Sequence, residues 1–332
     1  MIYKELKGKK YRFLVTGGAG FIGSNLAIAL LENAQSVIVL DNFSTGRKKN
    51  IEDVRSFTAE RGIHGSEFRL IDGDIRSLAS CMEAGRGVDF ILHNAALGSV
   101  PRSIDDPVTS SEVNVMGAVN MLVSAKENKV KRFVYASSSS VYGDSEKLPK
   151  AEGEEGSPLS PYALTKRVGE EYAENFRRVY GLDSIGLRYF NVFGPRQDPD
   201  SRYAAVIPLF VKKLLSKESP TINGDGETTR DFTYVENVVS ANILAALAAP
   251  SPSMPGVYNI ACSKPVSLNA VYKKIATLLG TDIKPVYGPE RKGDVRHSDA
   301  DISKAKEFLR YEPSVGFEKG LELSMEWYKK NI

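Results

Sequence analysis

The most constraining feature of the chain is a glycine turn set between two apolar elements near its start. Tyr11–Thr16 has the short, continuous apolar character of a buried strand. Gly17, Gly20 and Gly23 follow at the spacing G-x-x-G-x-x-G, and Phe21–Asn33 then reads as a helix. In such a turn one glycine permits the tight bend, another lets the backbone approach a bound group, and the last lets the helix pack closely on the strand. A second apolar run, Ser36–Leu40, ends at Asp41, about 20 residues beyond the turn, where a ribose-binding acid belongs. Free N–H groups and the dipole at the helix start favour phosphates. Together these residues predict a bound dinucleotide. Asp41 would accept from a ribose 2′-hydroxyl and repel a 2′-phosphate, which favours NAD over NADP.

The same texture continues. Apolar runs at Phe68–Ile71, Val88–Leu92 and Arg132–Ala136 alternate with helical patterns, the longest at Val108–Asn128 and Pro161–Tyr180. Apolar strands separated by helices predict an α/β fold, a Rossmann-type doubly wound parallel sheet covered on both faces. Beyond Asn191 proline and glycine become frequent and the elements shorten, to Ala204–Leu215, Val235–Leu247 and Leu268–Leu279. This predicts a smaller C-terminal α/β substrate lobe. Residues 1–191, with about 231–250 rejoining them, would form the nucleotide domain; 192–230 and 251–332 would form the lobe. Lys147–Pro158 reads as a polar loop whose charges are solvated. Asp74-Ile75 closes the third strand and is expected either to hold the adenine or to cap a helix.

Tyr162 and Lys166 stand four apart, a step that puts two side chains on one helix face. A phenol of pKa near 10 is a poor base at neutral pH. A neighbouring ammonium favours phenolate, so Lys166 is expected to lower the Tyr162 pKa. A softened phenol beside a nicotinamide is equipped to move a proton and a hydride off one alcohol carbon. The bland alternative is a surface helix pair, and the serine run Ser137–Ser140 alone is no more than a polar strand end.

Composition narrows the field. A chain of 332 residues can bury a sizeable core. With 44 basic against 41 acidic residues, a net charge of +3 leaves no broad basic face, so nucleic acid is not an expected partner. Cys81 and Cys262 lack metal-ligand spacing and read as buried thiols in a reducing compartment; no metal is expected. Met1–Lys10 lacks an apolar signal core, and no stretch is apolar enough to span a bilayer, so a cytoplasmic protein without a membrane partner is expected.

With these motifs the chain resembles the extended short-chain dehydrogenase/reductases that act on nucleotide sugars. The resemblance is carried by the glycine turn, Asp41-Asn42-Phe43-Ser44, Asp72–Ile75, His93–Ala96, Ser137–Gly143, the Tyr162/Lys166 pair and Leu187–Pro195. Through Ala96–Ser103, Tyr203–Pro208, Asn223–Phe232 and Gly293–Ser298 it is most similar, within that family, to the UDP-N-acetylglucosamine 4-epimerases. The resemblance implies NAD retained through many turnovers, held by Gly17, Gly20, Phe21, Ile22, Gly23, Asp41, Asn42, Ser44, Gly46, Asp74, Ile75, Ala95, Asn114, Tyr162, Lys166 and Tyr189. It implies Tyr162 as the base at the sugar 4-hydroxyl, Lys166 on the nicotinamide ribose, and Ser138 bonded to the 4-oxygen. The 4-keto sugar would turn about its diphosphate and take hydride back on the other face.

For the UDP-sugar, Arg230 and Arg291 are candidate cations for the diphosphate, since the guanidinium fork suits phosphate oxygens; each also reads as a surface ion-pair residue. By resemblance Asn191 would bind a diphosphate oxygen or the sugar, Ala205, Val206 and Asn223 would lie along the uridine, and Asp294 would take a ribose hydroxyl. Gly98, Ser99, Arg102, Ser103 and Ser139 would line the sugar. Ser298 stands where some relatives carry a bulky tyrosine, so an N-acetyl group would fit; His297 reads as structural. UDP-glucose/UDP-galactose epimerisation and UDP-uronate epimerisation, with Arg102 or Arg296 on a carboxylate, are the rival reactions. Dehydratases and decarboxylases of the family place acids where this chain has Ser139-Ser140. A redox-sensing regulator would need the glycine turn but not the phenol, lysine and serine. The resemblance also implies a homodimer built on Val108–Asn128 and Pro161–Tyr180.

Overall fold

The computed structural model describes residues 3–62, 67–200, 205–251, 254, 256–290 and 296–332. Its strands run β1 (Arg12–Thr16), β2 (Ser36–Asp41), β3 (Phe68–Asp72), β4 (Phe90–His93), β5 (Arg132–Ser138), β6 (Ser184–Tyr189), β7 (Val192–Phe193), β8 (Thr221–Asn223), β9 (Thr229–Asp231), β10 (Thr233–Tyr234), β11 (Val257–Ile260), β12 (Pro265–Ser267) and β13 (Val286–Gly288). Seven of them form one sheet in the order β3-β2-β1-β4-β5-β6-β11, and every pairing is parallel. The order reverses direction between β1 and β4, which opens a crevice at the carboxyl ends of those strands.

The helices are α1 (Phe21–Glu32), α2 (Lys48–Glu60), α3 (Leu78–Ala84), α4 (Val100–Asp105), α5 (Pro107–Ser111), α6 (Gly117–Glu127), α7 (Pro161–Tyr180), α8 (Val206–Leu215), α9 (Val235–Leu247), α10 (Leu268–Leu279), α11 (Ser303–Leu309) and α12 (Phe317–Asn331). Alternate side chains of each strand enter opposite cores, as the pleat requires. Phe13, Val15, Val37 and Val39 pack with α1, α2 and α9. Leu14, Ile38, Leu40 and Phe133 pack with α3, α6 and α7. Burial on both faces explains why these strands read as unbroken apolar runs. A third core, around Phe193, Phe210, Phe232, Ile275 and Tyr328, builds the smaller lobe.

Three elements differ from the sequence reading. Residues 257–260, read as part of the smaller lobe, form the edge strand of the main sheet, with Tyr258 beside Leu187 and both fully buried. The single helix read over Val108–Asn128 is α5 and α6 joined through a π-helical turn at Glu112–Met116. The Lys147–Pro158 loop is not simply a solvated surface: Lys150 and Glu152 are buried, and Glu155 pairs with Arg188, whose side chain is 4% exposed. A guanidinium buried on β6 requires counter-charges, and the loop supplies one of them.

Candidate nucleotide site and active centre

The glycine turn sits at the crevice. Gly17 has φ +68°, and a Cβ there would lie 2.8 Å from the Ala95 backbone nitrogen; a Cβ at Gly23 would lie 2.2 Å from the Gly17 carbonyl oxygen. Only glycine tolerates either approach. No side chain caps α1, so its first turn keeps backbone N–H groups for an anion. Asp41 is buried, its Oδ2 accepting from Ala19 N and its Oδ1 from Phe43 N, each at 2.8 Å. Burial pushes this carboxyl up while the two N–H groups pull it down.

A cavity of about 330 Å³ runs from the turn along the ends of β1 and β2. Gly17, Gly20, Phe21, Ile22, Gly23, Asp41, Asn42, Ser44, Gly46, Asp74, Ile75 and Ala95 border it, as do Gly98, Ser99 and Arg102. Asp74 accepts from Arg76 and from Asn42 Nδ2, and these donors draw its carboxyl down to about 2. The cap of α3 is Ser77 rather than Asp74. An extended dinucleotide fits this architecture: a glycine floor, free N–H groups at a helix start for a diphosphate, and a fixed carboxylate one strand away for a ribose. Wall residues to which the sequence reading gave no role include Arg47, Asn50, Asn94, Arg196 and Asp198. The Nδ2 of Asn94 is buried without a hydrogen-bond partner.

The second centre is the start of α7. Ser160 caps it through Ala163 N, and Pro161 occupies its first turn. The Ser138 hydroxyl lies near enough to the Tyr162 phenol to favour its ionised form. Ser138 Oγ accepts from Ser140 N at 3.2 Å and Ser140 Oγ at 3.0 Å. Lys166 Nζ donates to the Ala136 carbonyl at 2.8 Å and lies 5.9 Å from the Tyr162 ring centre. Burial draws the Lys166 ammonium down to about 8, against an opposing pull from Glu170. The expected lowering of the phenol is not met by the protein's own groups: burial holds Tyr162 above its ordinary value, and Ser138 offsets part of that. The physical reason is that removing the phenol from water disfavours its charged form, and Lys166 is not among the groups that offset this.

Asn114, in the π turn, accepts from Leu97 N at 2.8 Å and donates to Thr165 Oγ1 at 3.1 Å, tying the loop after β4 to α7. Lys166, Asn114, His93 and Ala95 border a second cavity of about 20 Å³. Ala95 borders both cavities, so the tyrosine–lysine helix adjoins the nucleotide crevice there. Burial draws His93 down to about 3, which keeps its imidazole neutral. Tyr189 does not border the main cavity; its hydroxyl accepts from Asn242 Nδ2 and donates to Asn94 Oδ1, so it reaches the crevice through Asn94.

The residues read as sugar contacts divide. Ser103 lies behind the crevice, fully buried, its Oγ accepting from Tyr162 N at 2.9 Å. Ser139 opens the short turn after β5. Asn191, just after β6, and Ala205, Val206, Asn223, Arg230 and Ser298 on the smaller lobe do not border the main cavity. Ser298 N donates to the Thr229 carbonyl, which also accepts from Arg230 Nη1, so Arg230 and Ser298 are neighbours. Arg291 and Asp294 lie outside the described residues. Arg296 is engaged by Asp225 at 2.7 Å and Glu290 at 3.8 Å, and His297 lies beside Thr229 Oγ1. Cys81 and Cys262 are free, buried thiols pushed up to about 12 by burial. No helix among the described residues is long and apolar enough to cross a membrane.

A parallel sheet with a glycine-floored crevice at its reversal point defines a Rossmann-type dinucleotide-binding protein. The chain belongs to the NAD dependent epimerase/dehydratase family, whose sequence profile matches residues 13–261, and its cofactor is NAD. It is 38% identical to a solved UDP-N-acetylglucosamine 4-epimerase from Methanobrevibacter ruminantium in complex with UDP-N-acetylmuramic acid (TM-score 0.90; 98% of this chain, 100% of that one). It is 37% identical to the UDP-glucose 4-epimerase of Thermotoga maritima with UDP-glucose (TM-score 0.87; 96% and 99%). It is 31% identical to the UDP-glucuronic acid 4-epimerase of Bacillus cereus with UDP-glucuronic acid and NAD (TM-score 0.84; 96% and 99%).

Proposed function

We propose that the chain is an NAD-dependent UDP-sugar 4-epimerase whose substrate pair is UDP-GlcNAc and UDP-GalNAc. The observation that carries the reaction type is the placing of Lys166 Nζ 5.9 Å from the Tyr162 ring centre, with Ser138 near the same phenol, on a helix that meets the nucleotide crevice at Ala95. When bound, NAD supplies a hydride acceptor and donor at the sugar carbon. Tyr162 takes the proton of the 4-hydroxyl and returns it, and Ser138 holds the same oxygen. Lys166 binds the cofactor's ribose while fixed by Ala136, and Asp41 accepts from the distal ribose. Beside Ser138 stand Ser139 and Ser140, neutral hydroxyls without an acid to expel water or assist loss of carboxylate. The chemistry therefore stops at the ketone, and once the sugar has turned about its diphosphate, hydride returned to its other face gives the 4-epimer.

The small Ser298, beside the candidate diphosphate ligand Arg230, supports an N-acetyl substrate. Arg296, a candidate for a C6 carboxylate, is already held by two acids, which weighs against a uronate. Incubating the purified protein with UDP-GlcNAc, UDP-glucose and UDP-glucuronate and following product by NMR tests the reading; faster conversion of either rival sugar would overturn the substrate assignment. We further propose a homodimer through α4–α7, where Ile104, Val108, Met116, Leu164 and Val179 are exposed. Light scattering that gives a monomer at micromolar concentration would exclude it.

A further inference from the structure

We propose that Arg196 is a cation for the cofactor's diphosphate, reaching it from the loop after β7 rather than from the glycine turn. Arg196 borders the same cavity as Gly17, Gly20 and Phe21. It has φ +72°, a conformation that L side chains rarely adopt. Asn25 on α1 fixes the loop there: its Nδ2 donates to the Phe21 carbonyl at 2.8 Å and the Pro195 carbonyl at 3.1 Å, and its Oδ1 accepts from Arg196 Nη1 at 2.8 Å. The loop is thus lashed to the uncapped first turn of α1.

The guanidinium is under-used as it stands. Its Nε is buried without a hydrogen-bond partner, and the nearest acid, Asp53, is 3.8 Å away. A desolvated cation with an unmet N–H is costly until an anion arrives. A diphosphate at the α1 N-terminus has that chemistry, since its oxygens suit the planar fork of arginine. Arg47 also borders the cavity, but it is paired at 3.5 Å with Asp198, another lining residue, so of these two Arg196 is the cation left to meet an anion there.

This inference rests on the NAD requirement of the family, and its test separates the two. The full chain, freed of nucleotide, is titrated by calorimetry with NAD and with ADP-ribose, which keeps the diphosphate and lacks the nicotinamide. Arg196→Ala is expected to weaken both ligands by one common factor, roughly ten- to hundredfold, as for loss of a charged hydrogen bond. Arg196→Lys is expected to recover part of the loss. Asp53→Asn, which removes the competing acid, is expected to bind at least as tightly as the parent. A change under about twofold in Arg196→Ala, or a loss confined to NAD, overturns the assignment. Should Arg196→Ala fail to fold, parent-like affinity in Arg196→Lys together with weaker binding in Asp53→Asn overturns it equally. A parent protein that binds neither ligand would instead refute the NAD reading itself.

Discussion

The Ser103 hydroxyl oxygen accepts the backbone N–H of Tyr162 at 2.9 Å while its proton goes to the Val100 carbonyl at 2.8 Å. One buried serine therefore joins α4 to the first turn of α7. Ser103→Ala leaves a buried N–H unmet, a loss of about 1–3 kcal/mol. Turnover should fall about tenfold with NAD affinity unchanged, as kcat compared with Kd will show. An equal fall in both would mean that Ser103 serves the cofactor crevice instead.

Tyr162→Phe keeps the ring and removes the hydroxyl that Ser138 influences. It should retain NAD and lose roughly 100- to 10,000-fold in turnover, the usual contribution of a positioned acid–base. Unchanged turnover in the NMR assay would refute Tyr162 as the base.

Lys166 links cofactor affinity and stability to pH with opposite signs. Burial draws its ammonium to about 8, below its ordinary 10.5. Between those values the unfolded chain binds the extra proton, so this group's contribution to stability rises with pH. Donation to the cofactor's ribose meanwhile loses its charge assistance as the ammonium deprotonates. NAD affinity should therefore decline above pH 8, while the parent gains stability relative to Lys166→Met over the same range. Binding and melting measured from pH 7 to 10 check both; a flat affinity would remove Lys166 from the cofactor's contacts.

Glu170, one turn beyond Lys166, accepts from Arg188 through both carboxylate oxygens at 2.8 and 2.7 Å and from Ser137 Oγ at 2.5 Å. The two charged side chains are 10% and 4% exposed. Glu170→Gln should cost about 3–5 kcal/mol by leaving a buried guanidinium short of charge. Urea unfolding that shows a loss of a few tenths would mean that Glu155 alone satisfies Arg188.

Much of the nucleotide half was legible because its signals are local. The start of α7 is written in Ser160 and Pro161, and its end in Gly181, which adopts φ +70°. The glycine turn and Asp41 are likewise set by spacing along one strand–turn–helix unit. What could not be read depends on contacts between distant segments. Val257–Ile260 looks like any short apolar run until it pairs with β6. Glu152 and Glu155 look solvated until Asn259 and Arg188 meet them. The state of the Tyr162 phenol depends on its burial and on where the Lys166 ammonium points.

By itself the amino-acid order determined the winding of the sheet, the glycine-floored crevice and the tyrosine–lysine spacing, because these follow from periodicity, caps and backbone freedom within a few residues. Only the tertiary structure decided that Ser103 stands behind Tyr162 rather than against a sugar, and that Arg196 joins the crevice from a loop 170 residues after the α1 asparagine it touches. Such relations depend on which surfaces pack together and on what burial does to charge, neither of which is carried by any local stretch of chain.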